Sequence, residues 1–145
     1  MTIPSIYELH DIIFNENKCV EYLRSKNIFY ELHECSKCKK PLKYFSNGHR
    51  FRCTSNNCNQ TEIPLRMNTF FANSKLPIYK ILYIGYCWLK GDSSSSIQKA
   101  TKHSTETIAK YLNYYRQLIA STLNEEDDII GGDGIVVQID ESKFG

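Results

Sequence analysis

The sequence predicts a small α+β protein. Runs with helical periodicity occupy both ends of residues 1–123. Between them lies a segment of short aromatic and basic runs around Asn47-Gly48, a strong hairpin signal. Inside that segment fall four of the six cysteines, in two close pairs. The 145 residues suffice for one ordinary domain or two small ones, and 41% apolar with 23% charged residues is the composition of a globular chain.

The elements follow in order. In "PSIYELHDII", Ser5 and Glu8 stand at capping-box spacing just after a proline. In "NENKCVEYLRSKN", Asn15 reads as the N-cap and Cys19, Val20 and Leu23 share one face, so Cys19 is expected in the core. These helices form an N-terminal segment over 1–30. Residues 31–66 then form a three-stranded unit: two runs of "PLKYFSNGHRFRC" flank Asn47-Gly48, and "QTEIPL" supplies a third strand closed by Pro64.

Helical periodicity returns over 67–123. In "LPIYKILYIGYCWLKG", Pro77 opens a helix, Gly91 ends it, and Ile78, Ile81, Leu82, Gly85 and Leu89 form a stripe. Ser95 and Gln98 suggest a second capping box for a short helix near 95–101. After a three-residue break, Ile108, Tyr111, Leu112, Tyr115, Leu118, Ile119 and Thr122 mark a long amphipathic helix. Cys87, Trp88 and Tyr111 read as core. Residues 124–134 read as an acidic linker, and "IVVQID" as a buried strand within 135–145.

Cys35-x2-Cys38, a gap of 14 residues, then Cys53-x4-Cys58 nearly match the spacing of structural zinc sites. The hairpin between the pairs folds the second onto the first, so four thiolates can close a tetrahedron around Zn²⁺ with no open position for water. Such a zinc ribbon is structural, not catalytic. His33 and His49 are nearby substitutes but read as ordinary surface histidines.

The formal charge of +2 hides a segregation. Residues 1–123 hold 17 Lys/Arg against 9 Asp/Glu, an excess of +8, and 124–145 hold 1 against 7, an excess of −6. A basic body suits a polyanionic partner. On the ribbon, Lys37, Lys39, Lys40, Lys43, Arg50 and Arg52 interleave with Tyr44, Phe45 and Phe51, a mixture suited to phosphate contacts. The last three helices suggest a helix-turn-helix whose final helix enters the major groove. Its outward residues would be Thr105, Glu106, Ala109, Lys110 and Asn113, with Lys102, His103 and Arg116 placed for phosphates. No run of about 18 apolar residues occurs, so no membrane span is expected. The N-terminus lacks a basic, then apolar, leader, so an intracellular location is expected: nuclear in a eukaryote, cytoplasm or nucleoid in a bacterium. Reducing conditions there favour a metal over disulfides.

The order of a cysteine ribbon, "IPLRMNTFFANSKLPIYKILYIGYCWLKG", a helix-turn-helix and "IVVQIDESKFG" resembles the Merlin-type DNA transposases and the bacterial insertion-sequence transposases with a zinc-ribbon N-terminus. The resemblance spans about residues 30–145. It implies the first strand, 135–139, of an RNase H-like catalytic domain, with Asp140 as the first catalytic aspartate. Family chemistry is strand cleavage and transfer with two divalent ions about 3.5–4 Å apart, Mg²⁺ in a full-length relative. The other two carboxylates would lie beyond residue 145, and Glu141 points to the opposite face of the strand from Asp140. The chain is therefore expected to be an N-terminal fragment, catalytically incomplete, that binds the double-stranded terminal repeats of a transposon, with a homodimer left open. Two other readings compete: a free-standing transcription-type module and a metal-stapled protein-interaction domain.

Overall fold

A computed structural model describes residues 2–58 and 61–123. The linker 124–134, the strand 135–139 and Asp140 lie outside the described residues.

Two short helices come first, α1 (Ile6–Ile13) and α2 (Glu16–Ser25). Ser5 caps α1 as the spacing predicts: its Oγ accepts from Glu8 N at 3.4 Å, and Ser5 N donates to Glu8 Oε2 at 2.6 Å. Asn15 Oδ1 accepts from Lys18 N at 3.0 Å and caps α2. Helix α2 buries Cys19, Val20 and Leu23.

The strands β1 (Leu42–Phe45), β2 (Arg50–Cys53) and β3 (Glu62–Pro64) form an antiparallel sheet in the order β1-β2-β3. Tyr44 pairs with Phe51, and Phe51 with Ile63, so one face is apolar. Phe51 is buried, with Tyr44 and Ile63 packed around the core. Residues 46–49 turn between β1 and β2, with Gly48 at φ +79° and His49 at φ +44°. A Cβ on Gly48 would meet the Arg50 guanidinium, which donates to Asn47 O at 2.8 Å. The Arg24 guanidinium docks α2 on the sheet. It lies 3.9 Å over the Tyr44 ring and bonds both carboxylate oxygens of Glu31, at 2.8 and 3.0 Å.

A connector leads to α3 (Ile78–Leu89), α4 (Ser94–Thr101) and α5 (Thr105–Thr122). Arg66 holds the connector closed, donating to Ser74 O at 3.1 Å and Leu76 O at 2.9 Å. Pro77 at the α3 N-cap offers no side-chain hydrogen bond. Glu16 of α2 takes that role from 62 residues away, accepting from Ile78 N at 3.1 Å and Tyr79 N at 3.0 Å. A carboxylate at a helix N-terminus satisfies two orphan donors and opposes the positive end of the helix dipole.

Two helix expectations shift. The cap of α4 is Ser93, whose Oγ accepts from Ser96 N at 3.2 Å, and not Ser95. In a run of four serines local chemistry is degenerate; burial of Ile97 sets the phase. On α3 the buried stripe is Ile78, Ile81, Ile84 and Gly85, whereas Leu89 is 58% exposed. Helix α3 ends at Leu89, which leaves this side chain outside the core. Cys87 and Tyr111 are buried as expected, and Trp88 is half-buried against the same core.

One apolar cluster runs through all of these elements, from Ile13 and Val20 through Phe51, Leu65 and Phe71 to Ile81, Ile97, Ile108 and Leu112. The four paired cysteines form a separate, smaller cluster beside it.

Candidate metal centre and basic surfaces

The cysteine pairs come from two turns. In the first, Cys35 N donates to Lys40 O and Lys39 N to Cys35 O, both at 2.9 Å, and Lys39 adopts φ +59°. The turn aims the backbone N–H groups of Cys38 and Lys37 at the Cys35 sulfur. In the second, Cys53 ends β2 and Cys58 follows a tight turn, with Cys58 N donating to Ser55 O at 3.2 Å. The β1–β2 hairpin brings the turns together.

The four sulfurs lie within 4.8 Å of one another, Cys38 to Cys53 at 3.4 Å and Cys35 to Cys58 at 3.7 Å. Tetrahedral Zn–S bonds of about 2.3 Å would separate the sulfurs by about 3.8 Å. The distances match that edge and are far too long for disulfides, and all four cysteines are free. Cys35, Cys53 and Cys58 are buried, which shields the group from water. It is positioned to bind a metal ion, and a donor set of four thiolates is consistent with structural zinc.

The electrostatics also favour a cation. The backbone N–H groups of Cys38 and Lys37 pull the Cys35 thiol down to about 6. Cys53 also receives an N–H, from Ser55, yet burial and the other three sulfurs push it up to about 12. Four thiolates this close cannot all ionise unaided; a divalent ion removes that conflict. Neither histidine joins the group among the described residues. His49 faces Tyr44, with Nδ1 2.9 Å from the hydroxyl, and His33 is exposed.

The basic candidates fall on two surfaces. On the outer face of the sheet, Lys43 is exposed, with Nζ 5.7 Å from the Phe45 ring centroid. Arg52 Nε lies 3.6 Å and Arg50 Nε 3.5 Å from the same Glu62 Oε1. The Arg50 approach is within ion-pair range but not aligned as a hydrogen bond. One carboxylate thus stands against two arginines, and the face stays net positive.

The second surface is the N-terminal half of α5. Ser104 caps it, its Oγ accepting from Thr107 N at 3.2 Å. Lys102, at φ +57°, turns the chain from α4 into α5 within three residues. Thr105, Glu106, Ala109, Lys110 and Asn113 are all exposed, as are Lys102 and Arg116, while His103 is half-buried. Thr105 Oγ1 donates to Gln98 Oε1 at 3.1 Å, tying α5 to α4. Ile108, Tyr111 and Leu112 fill the opposite side. Glu16 and Arg66, which fix the helical unit to the rest, carry no motif that sequence reading could assign.

Among the described residues, fold and site together define a small α+β protein with a three-stranded sheet, five helices and a group of four cysteines positioned to bind a metal ion. The chain matches no family model, no curated protein and no solved structure. No helix among the described residues is long and apolar enough to cross a membrane.

Proposed function

We propose that this chain is a double-stranded-DNA-binding module of the zinc-ribbon transposase kind, recognising transposon ends. In this reading the four cysteines hold structural Zn²⁺, and α3, α4 and α5 act as a helix-turn-helix. The observation that carries it is the two-sided character of α5. One side is locked into the core by Ile108, Tyr111 and Leu112, and the other offers exposed groups that can reach base edges.

Asn113 can bond an adenine through both amide groups, and Glu106 can accept from a cytosine amino group. Lys110 and Arg116, together with Lys102, supply positive charge for flanking phosphates. The ribbon adds Lys43 and the net positive Arg50/Arg52/Glu62 face as a second backbone contact. A rigid metal-stapled ribbon sharing one core with the helices would hold both surfaces in fixed register on one duplex.

A gel-shift series compares the terminal repeat of the element with a scrambled duplex of equal length. Tighter binding to the repeat is expected. Equal affinity for both sinks the transposon-end reading, and no affinity for either sinks DNA binding altogether.

A further inference from the structure

Helix α3, the end of α1 and the α4–α5 turn enclose a cleft of about 200 Å³ that no function above uses. It is lined by Tyr79, Lys80 and Tyr83 of α3, by Thr101 and His103, and by Phe14 just past α1. Among the described residues, none lining it is a carboxylate. The groups that titrate there are one lysine, one histidine and two tyrosines.

One lysine and one ionisable imidazole thus share a partly enclosed space that no carboxylate among the described residues lines. Burial first, and the Lys80 charge second, hold the His103 imidazole below its ordinary range, so the two do feel one another. Elsewhere in this protein, partly buried cations face acids: Arg24 meets Glu31, Arg66 meets Glu16, and Arg50 meets Glu62. Burial and the Lys80 charge both favour the neutral imidazole, and an anion in the cleft would offset them and leave Lys80 with a counter-charge. The Thr101 hydroxyl is committed to Ile97 O at 2.7 Å, which leaves the phenols of Tyr79 and Tyr83 to donate to oxyanion oxygens. The adjoining Ser104-capped start of α5 adds the positive end of a helix dipole.

We infer that this cleft is a phosphate-binding site in which Lys80 and His103 hold the anion, with Tyr79 and Tyr83 as hydroxyl donors. The inference rests on the DNA-binding reading for one source of the phosphate, a duplex backbone; the other source is free phosphate. An anion beside Lys80 favours the His103 imidazolium, so the site takes up a proton on binding. Affinity is therefore highest below the His103 midpoint and falls as pH rises through it.

The test uses the zinc-loaded full chain and two ligands, a duplex and inorganic pyrophosphate. The His103 imidazole is followed by proton NMR, assigned with His103→Gln. Either ligand should raise its titration midpoint. Lys80→Gln should weaken that response and lower duplex affinity by about 3- to 10-fold, with the log–log salt slope reduced by about 0.9. Lys80→Arg, which keeps the charge, should restore both, which a merely misfolded variant would not show. A pyrophosphate response without any duplex binding keeps the site and refutes the DNA reading. Duplex binding that Lys80→Gln leaves unchanged, with an unmoved His103 midpoint, overturns the site and keeps the DNA reading.

Discussion

Gly85→Ala should destabilise the protein, although it raises helix propensity. A Cβ built on Gly85 would lie 2.5 Å from Tyr115 Cζ and 2.7 Å from its hydroxyl oxygen. That ring is where α5 rests on α3. Its hydroxyl donates to Ile81 O at 2.6 Å, and its face stacks on Trp88 with centroids 6.1 Å apart. Clearing the methyl means moving the ring. Overpacking of this kind costs about 1–3 kcal/mol, and losing the hydroxyl's hydrogen bond adds about 0.5–1.5 kcal/mol. Replacing an interior helical glycine by alanine returns about 1 kcal/mol. The net expectation is a loss of about 0.5–3.5 kcal/mol, or roughly 2–12 °C in Tm for a chain of this length. Urea unfolding followed by Trp88 fluorescence measures it. Adding Tyr115→Leu should make the Gly85→Ala change neutral or stabilising, because the clash is then gone. An unchanged or raised Tm for Gly85→Ala alone would show that α3 and α5 do not meet as described.

Other consequences are as specific. Cys35→Ser with Cys38→Ser should abolish zinc uptake measured by atomic absorption, because two ligands cannot close the tetrahedron; retained zinc would refute the four-cysteine site. Zinc should leave the wild-type chain as pH falls, since protons compete for the thiolates, and a metal content unchanged down to strongly acidic pH would argue against cysteine ligation. Glu16→Gln should cost about 1–2 kcal/mol in denaturant melts, because it weakens the α3 cap and the Arg66 contact together; a cost no greater than that of a surface substitution would rule out the long-range cap. Arg24 holds the Glu31 carboxyl below its ordinary range, so that pair stabilises the fold above the ordinary carboxylate range and loses its effect as pH falls through the lowered value. Arg24→Ala should remove this acid-side component of the stability profile, and a profile identical to wild type would contradict the pair.

What the sequence reveals is local. Ser5 with Glu8 and Asn15 alone name their caps because the partners lie three residues away. Asn47-Gly48 places the hairpin because one residue there must take φ +79°. The cysteine pairs reveal the metal group, since the hairpin fixes their relation once both turns exist. The break at 102–104 was also legible, from the end of one periodic run and the start of the next. What stayed hidden depends on residues distant in the chain. Nothing near Pro77 announces that Glu16 will cap α3, and nothing near Arg66 shows it bridging Ser74, Leu76 and Glu16. The phase of α4 among its serines, the exposure of Leu89 and the approach of Tyr115 to Gly85 follow from tertiary packing. Asp140, legible as a strand-end acid, lies outside the described residues.

The DNA-binding reading of α5 is met most directly by one measurement. Fluorescence anisotropy of a labelled terminal-repeat duplex is titrated with the wild-type chain and with the Lys110→Gln/Asn113→Ala double variant, over a range of NaCl concentrations. If α5 reads the major groove, the wild type binds with a steep negative salt slope. The variant should then lose about 1–3 kcal/mol of discrimination against scrambled duplex at the Asn113 contact, and about one unit of slope at Lys110. Identical affinity, slope and discrimination in the two proteins would contradict it.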